Sequence, residues 1–190
     1  AHKMGLPVNK ISVAVNNNDI LHRFFSDNDY SQQLVCETIS PSMDISVASN
    51  FERLIYDLFL DRDAFQCASM FENFPIEPIK LDASSWKKKD DIFSSCKVND
   101  HDTRNMIKKI FESDNYLIDP HTAVAAVDAF KQSDQNNHYV LLSTAHPGKF
   151  PKVYKELGIE IDKLPLALRG LFEKEESLYV FDADYKSITN

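Results

Sequence analysis

The chain has 190 residues, 43% of them hydrophobic, which is enough to bury the core of one domain or of a large part of a bigger one. The net charge of −8, with 21 Lys and Arg against 29 Asp and Glu, argues against a nucleic-acid partner. Three Cys residues without C-x-x-C spacing indicate neither a disulfide framework nor a zinc site, and no apolar run reaches the roughly 20 residues that span a bilayer. We therefore expect a soluble cytoplasmic protein without a membrane partner.

The first residues have the pattern of a helix end. Gly5 occupies the position of a C-terminal glycine cap, and Pro7 follows just beyond it. Because a chain rarely begins with the end of a helix, we expect further chain upstream of Ala1.

A strand and a helix are predicted next. Residues 10–15 are rich in β-branched side chains and predict a strand, which a polar turn from Asn16 to Asp19 ends. Apolar residues recur at helical spacing over residues 20–25. This alternation is typical of an α/β protein.

The middle of the chain is less regular. A helix is predicted from about residue 49, where Ser49 and Glu52 fit a capping box. We interpret residues 61–100 as an irregular surface segment with one or two short helices. Further helices are predicted from about residue 100 and from Pro120, a first-turn proline that follows an Asp cap.

A second strand is predicted near the end of the chain. The apolar run Tyr139–Leu142 has the pattern of a buried strand, and Pro147 is expected to start a helix that Gly158 ends. Residues 159–190 then form a C-terminal tail region. Both predicted strands end in polar turns and are linked by helices, which favours parallel pairing.

Ligands of open α/β sheets bind outside the carboxyl ends of the strands. Thr144 and His146 follow the second predicted strand, and Asn16, Asn18 and Asp19 follow the first. From residue chemistry alone, such a hydroxyl is more often a cap or turn residue, and the Asn residues are equally typical of a turn. His146 either faces the crevice or packs beneath it.

A metal site is not predicted. His101, Asp119, His121 and His146 are suitable ligand types, but none of their spacings is that of a specific metal motif. His121, in a first helical turn, is more typical of structural packing than of catalysis.

Six motifs follow one another along the chain. They are Met4–Val8, Asn16–Asp19, Ser40–Ile45, Ser49–Arg53, Asp119–Val124 and Thr144–Phe150. In this order they resemble the C-terminal half of threonine synthase, a pyridoxal phosphate-dependent family. The resemblance runs to about Leu157; residues 61–100 and the tail resemble the family only loosely.

The resemblance implies a fold and a function. Residues 1–190 would be the C-terminal α/β portion of the enzyme, a three-layer, parallel-sheet fragment of a type II pyridoxal phosphate enzyme. The complete enzyme would convert O-phospho-L-homoserine and water to L-threonine and phosphate. The Schiff-base lysine and the Gly-rich phosphate loop would lie upstream, in the N-terminal half of the same polypeptide. The fragment itself would therefore be inactive and hold no catalytic residue.

The resemblance also implies site residues. Thr144 would donate to the pyridine nitrogen of the cofactor, because a hydroxyl at this strand end has that role in similar enzymes. Weaker candidates for substrate contacts are Asn16, Asn18, Asp19, Asp44, Asn50, Arg53, His146 and Lys149. Two other functions stay open: a related pyridoxal phosphate amino-acid dehydratase, or a non-catalytic α/β binding module.

Overall fold

The computed structural model describes residues 1–132, 137–161, 164–182 and 184–189. The strands are β1 (Ile11–Val15) and β2 (Phe93–Lys97). The helices are α1 (Ile20–Asp27), α2 (Phe51–Leu54), α3 (Ala64–Glu72), α4 (Ala83–Lys87), α5 (Asp100–Asp114), α6 (Pro120–Gln132), α7 (Pro151–Leu157) and α8 (Tyr185–Thr189). A π-helical segment, Ile55–Phe59, extends α2, and short 3-10 turns occur at His2–Met4, Pro41–Met43, Lys88–Asp91, Pro147–Lys149, Leu166–Leu168 and Leu171–Glu173.

The two strands pair in parallel, with Ile11 opposite Phe93 and Val15 opposite Lys97. Parallel pairing of β1 was predicted, but with Tyr139–Leu142 and not with β2. The strand β2 lies inside residues 61–100, where only short surface helices were expected. Its sequence, Phe-Ser-Ser-Cys-Lys, contains no β-branched residue and so carries little strand propensity.

Helices cover both faces of this sheet. Ser12 and Ala14 of β1 face α6, since the Ser12 hydroxyl donates to Asp128 and Ala14 packs in the core formed with α5, α6 and α7. Val13 points the other way and packs against the core cluster that includes Phe24 and Phe25 of α1. The predicted three-layer α/β arrangement is confirmed, and the alternation of side chains along β1 produces it.

The core on the α1 face is aromatic. Tyr30 and Phe51 stack with ring centroids 3.8 Å apart, and the fully buried Phe24 meets the ring of Phe51 edge-on at 4.7 Å. Such pairs add about 0.5–1.5 kcal/mol each to the gain from burial. This core anchors the chain on either side of residues 31–50.

The predicted strand over Tyr139–Leu142 is not formed among the described residues. Residues 137–144 have no strand partner there, and Val140 and Leu142 are 83% and 78% exposed. A strand requires a neighbour to satisfy its backbone groups, so the apolar pattern alone does not create one.

One predicted helix end is confirmed, and one predicted helix start lies elsewhere. Gly5 caps the first 3-10 turn with φ 92°, as predicted, and its N–H donates to His2 O. Pro147, in contrast, starts only a 3-10 turn, and α7 begins at Pro151. The residue before a proline is driven out of the α region, and Phe150 accordingly has φ −126° and ψ 51°.

Over the described part of the chain, every helix is too short or too polar to cross a membrane.

Candidate active site

The carboxyl ends of β1 and β2 lie at one edge of the sheet, because the strands are parallel. Asn16 directly follows β1 and is only 1% exposed, and Asn18 is 9% exposed. Buried side-chain amides require partners, since an unpaired one costs about 1–3 kcal/mol. Residues 36–44, called here the 36–44 loop, provide those partners.

The Asn16 amide donates toward Asp44 Oδ1 at 2.8 Å and Thr38 Oγ1 at 2.9 Å. The Asn18 amide donates to the same Asp44 oxygen at 2.9 Å and to Cys36 O at 2.9 Å, and its own oxygen accepts from Cys36 N at 2.8 Å. The Asn-rich turn is thereby joined to the 36–44 loop at several points.

Asp44 lies at the centre of these contacts. In addition to both amides, its carboxylate accepts from Thr38 N at 2.9 Å and from the Thr38 hydroxyl at 2.7 Å. The Ser40 hydroxyl, in a residue 1% exposed, lies 3.0 Å from the Asn16 amide nitrogen. Asp44 was proposed from the sequence, whereas Thr38 and Ser40 were not, because a hydroxyl in a loop is indistinguishable from an ordinary turn residue.

A second polar group lies at the start of α6. Asp119 is 1% exposed and accepts from His121 N at 3.0 Å, from His121 Nδ1 at 2.8 Å and from the Thr122 hydroxyl. The predicted Asp cap and first-turn Pro120 are confirmed. Tyr154 holds the preceding residue in place by donating to Ile118 O at 2.7 Å.

The Asp119 carboxyl is held in its charged form. Burial raises its pKa, but hydrogen bonds from His121 and Thr122 outweigh burial and bring the pKa below the ordinary value for Asp. An ionised carboxylate at a helix N-terminus is also favoured by the helix dipole.

The two polar groups are connected. His121 Nε2 accepts from Ser42 N in the 36–44 loop at 3.1 Å, and the Thr122 and Ser143 hydroxyl oxygens lie 3.4 Å apart. The start of α6 therefore touches both the 36–44 loop and the chain just before Thr144.

Thr144 is exposed, and its hydroxyl makes no hydrogen bond to any other residue that the structure describes. His146 is half-buried and its Nδ1 accepts from Gly148 N at 3.0 Å, which caps the following turn. Lys149 is exposed. Among the described residues the Thr144 hydroxyl thus has no partner, and Thr144 directly follows Ser143, whose hydroxyl oxygen lies 3.4 Å from that of Thr122.

Three other candidates have different surroundings. Asp19 pairs with Arg23 Nε at 2.9 Å and with Lys97 Nζ at 2.8 Å. Burial raises the pKa of Asp19, and these two cations lower it by more, so that the net shift is downward. Arg53 donates to Asn50 Oδ1 at 2.7 Å, and both side chains are exposed. These contacts do not join the network around Asp44.

Within the described residues, no group of three or more His, Cys, Asp or Glu side chains is arranged to hold a metal ion. Asp119 and His121 are adjacent, but the other nitrogen of His121 faces a backbone N–H. An N–H group blocks a cation there.

Comparison with known proteins finds similarity to one family. A family model described as "Threonine synthase, C-terminal" matches residues 122–190. The threonine synthase of Pseudomonas aeruginosa is 40% identical over 179 residues, which are 93% of this chain and 38% of that enzyme. This chain is homologous to the C-terminal part of threonine synthase. The Saccharomyces cerevisiae threonine synthase is 34% identical and matches 100% of the chain, which spans 42% of that relative.

Solved threonine synthase structures share the fold. The pyridoxal phosphate-bound threonine synthase of Brucella melitensis superimposes with a TM-score of 0.84 at 32% identity, over 93% of this chain and 38% of that one. The yeast threonine synthase gives a TM-score of 0.78 at 32% identity, over 92% and 39%. The chain therefore has the parallel-sheet α/β fold of this family, as its motifs implied, and spans about two fifths of these relatives.

Proposed function

We propose that this chain is the C-terminal part of a pyridoxal phosphate-dependent threonine synthase. The complete enzyme would convert O-phospho-L-homoserine and water to L-threonine and phosphate. The observation that carries the proposal is the exposed hydroxyl of Thr144, directly after Ser143, which contacts the polar group at the start of α6, in a chain 40% identical to a threonine synthase.

The residues at this edge fit the cofactor. A neutral hydroxyl can donate to a heteroaromatic nitrogen without protonating it, whereas a carboxylate would stabilise the protonated ring. When bound, pyridoxal phosphate supplies an electron sink for negative charge that develops on the substrate carbon. Thr144 would orient the ring and leave its nitrogen largely unprotonated.

The substrate would lie over the same edge. Asn16, Asn18 and Asp44 form its rigid floor, and their proposed role is to orient the amino acid portion of O-phosphohomoserine. Lys149 offers a positive point charge for a phosphate. His146 follows Thr144 closely in the chain and stays a candidate for a substrate contact.

Asn50, Arg53 and Asp19 are proposed with different roles. The planar guanidinium of Arg53 suits a phosphate and would exchange its present partner, the Asn50 amide, for the substrate. The charge of Asp19 is already neutralised by Arg23 and Lys97. Asp19 would therefore hold this edge of the sheet in place and affect the substrate only indirectly.

The remainder of the site is proposed to lie in the N-terminal half of the same polypeptide, which would contribute the covalent lysine and the phosphate-binding loop. Residues 1–190 would form the C-terminal α/β portion, in which 61–100 contribute β2 to the sheet and 159–190 are a tail region. The proposed location is the cytoplasm, in keeping with the free thiols of Cys36, Cys67 and Cys96.

The test is an assay of the full-length protein with pyridoxal phosphate. We expect phosphate release from O-phosphohomoserine with formation of threonine. Deamination of serine or threonine without phosphate release would instead indicate a related dehydratase. Absence of both reactions in a folded, cofactor-loaded protein would favour a non-catalytic binding module.

A further inference from the structure

The buried pair Asp119–His121 connects two segments that are distant in sequence. His121 is 8% exposed and belongs to α6, while its partner Ser42 lies 79 residues earlier, in the 36–44 loop. The imidazole also packs 5.0 Å, centroid to centroid, from the ring of Phe150. These contacts enclose the imidazole between α6 and the chain on both sides of the candidate active site.

The hydrogen bonds specify the tautomer of His121. Because Ser42 N–H donates to Nε2, that nitrogen carries no hydrogen, and the ring hydrogen lies on Nδ1. Nδ1 is 2.8 Å from Asp119 Oδ1, which accepts this hydrogen. A carboxylate behind an imidazole selects one tautomer and one ring orientation, as carboxylates do behind metal-bound His residues.

The same carboxylate reaches the second segment through Thr122. The Thr122 hydroxyl has one hydrogen, which it donates to Asp119 Oδ2, and its oxygen lies 3.4 Å from the Ser143 hydroxyl oxygen. Ser143 directly precedes Thr144. One buried charge is therefore linked to the 36–44 loop on one side and to the proposed cofactor contact on the other.

An ordinary helix cap does not explain this arrangement. Capping α6 requires only the Asp119 carboxylate and the backbone N–H groups of His121 and Thr122. It does not require an imidazole that accepts from a loop elsewhere in the chain.

We propose that Asp119 and His121 are positioning residues, in which the carboxylate keeps the imidazole in the tautomer that accepts from Ser42 N–H and so holds the 36–44 loop against the site. The role in substrate binding rests on the proposed function. The link to Ser42 does not depend on it.

Two substitutions at His121 distinguish the roles of its two ring nitrogens. The Asn amide occupies the place of Nδ1, so His121→Asn keeps a donor for Asp119 and loses the acceptor for Ser42. The Gln amide reaches the place of Nε2, so His121→Gln keeps an acceptor for Ser42. Both variants are neutral and polar, which makes His121→Gln the matched control.

Hydrogen exchange of the full-length protein, followed by mass spectrometry, measures the link directly. We expect the peptide that contains Ser42 to exchange about tenfold faster in His121→Asn and within about twofold of wild type in His121→Gln, since one hydrogen bond is lost only in the first. Equal exchange in His121→Asn and wild type, or equally fast exchange in both variants, would overturn the proposal.

A measurement on the wild-type protein does not depend on how the variants fold. Selective ¹⁵N-histidine labelling of the full-length protein reports the tautomer of His121, and His121→Gln assigns its signals. We expect a protonated Nδ1 and an unprotonated Nε2. The opposite tautomer would refute the proposal.

Steady-state kinetics test the connection with substrate. We expect KM for O-phosphohomoserine to rise about tenfold in His121→Asn, with a smaller change in kcat, and to be restored in His121→Gln. Unaltered KM in His121→Asn would remove the role in substrate binding. If the wild-type protein does not turn over O-phosphohomoserine, the proposed function fails, while exchange and tautomer still decide the link to Ser42.

Discussion

Thr144 and Asn16 show how differently two polar residues of the candidate active site can be used. The Asn16 amide is buried and has partners in Thr38, Ser40 and Asp44. Thr144 is exposed, and the described residues give its hydroxyl no partner. A buried, fully paired amide contributes to stability and rigidity, whereas a free hydroxyl on a rigid support is available to a ligand.

Replacement of Thr144 by Val in the full-length protein tests the second role. We expect a free energy of unfolding within about 0.5 kcal/mol of wild type, because the side chain is exposed, and turnover reduced about tenfold or more by the lost hydrogen bond. Chemical denaturation and phosphate-release kinetics provide the two measurements. Thr144→Ser, which keeps the hydroxyl, is the control, and unchanged turnover in Thr144→Val would remove Thr144 from the site.

Asp119 contributes stability that depends on pH. Its pKa is lower in the folded protein than in the unfolded chain, so the folded protein holds the proton less tightly. The contribution is therefore present above the unfolded pKa of about 3.9 and is lost as pH falls through the lower folded value.

Substitution Asp119→Asn removes this charge with little change of shape. We expect the variant to be less stable than wild type at neutral pH by about 1 kcal/mol, with the difference shrinking as the pH falls below about 4. Urea denaturation at several pH values measures it. The exposed Asp27→Asn is the control, and a difference that grows on acidification would contradict the sign of the shift.

At the scale of elements, the 36–44 loop has no regular structure apart from the turn at Pro41–Met43. Its shape comes from side chains that accept backbone N–H groups, as Asp44 does for Thr38 and Asn18 does for Cys36. A loop held in this way is rigid even though it lacks a strand ladder.

The substitution Asp44→Ala tests this explanation. It removes the acceptor shared by Asn16, Asn18 and Thr38, and we expect a loss of about 1–3 kcal/mol in the free energy of unfolding. Urea denaturation gives the value. Asp27→Ala, at an exposed position without such contacts to the described residues, should stay within about 0.5 kcal/mol of wild type, and a similarly small loss in Asp44→Ala would show that the loop is held by other contacts.

Helix α5 illustrates where sequence patterns succeed at this scale. A helix was predicted from about residue 100, and α5 begins at Asp100, where the Asn99 oxygen accepts from Asp102 N at 2.9 Å. The capping box at Ser49 was wrong, because α2 begins at Phe51 after Asn50 and lacks a side-chain cap. Caps depend on local chemistry, whereas the first residue of α2, Phe51, is buried and stacks on Tyr30, a tertiary contact that the local pattern does not contain.

At the scale of the whole molecule, apolar surface remains uncovered. Val140 and Leu142 are 83% and 78% exposed, and Tyr179 and Val180 are 84% and 87% exposed. Large apolar side chains exposed to this degree are typical of a surface that another part of a protein covers. Since the chain spans 38–42% of its relatives, the proposed N-terminal half is a suitable cover.

The chain of 190 residues alone should be inactive. We expect no phosphate release when it is mixed with pyridoxal phosphate and O-phosphohomoserine, because the covalent lysine is proposed to lie upstream. The colorimetric phosphate assay that detects turnover by the full-length protein is the measurement, with that protein as the positive control. Stoichiometric or faster release by residues 1–190 would contradict this division of the site.

Sequence periodicity and end signals were sufficient to predict the α/β class, the helices α1, α5 and α6 and the Gly5 cap, while six short motifs carried the resemblance to the family. Each of these depends on residues close together in the chain, where spacing and capping chemistry act directly. The tertiary structure decided which strand pairs with β1, that Tyr139–Leu142 lacks a neighbour within the described residues, and that His121 contacts Ser42. Those outcomes join residues far apart in sequence, and the free energy of such contacts depends on what packs against them, which no local pattern contains.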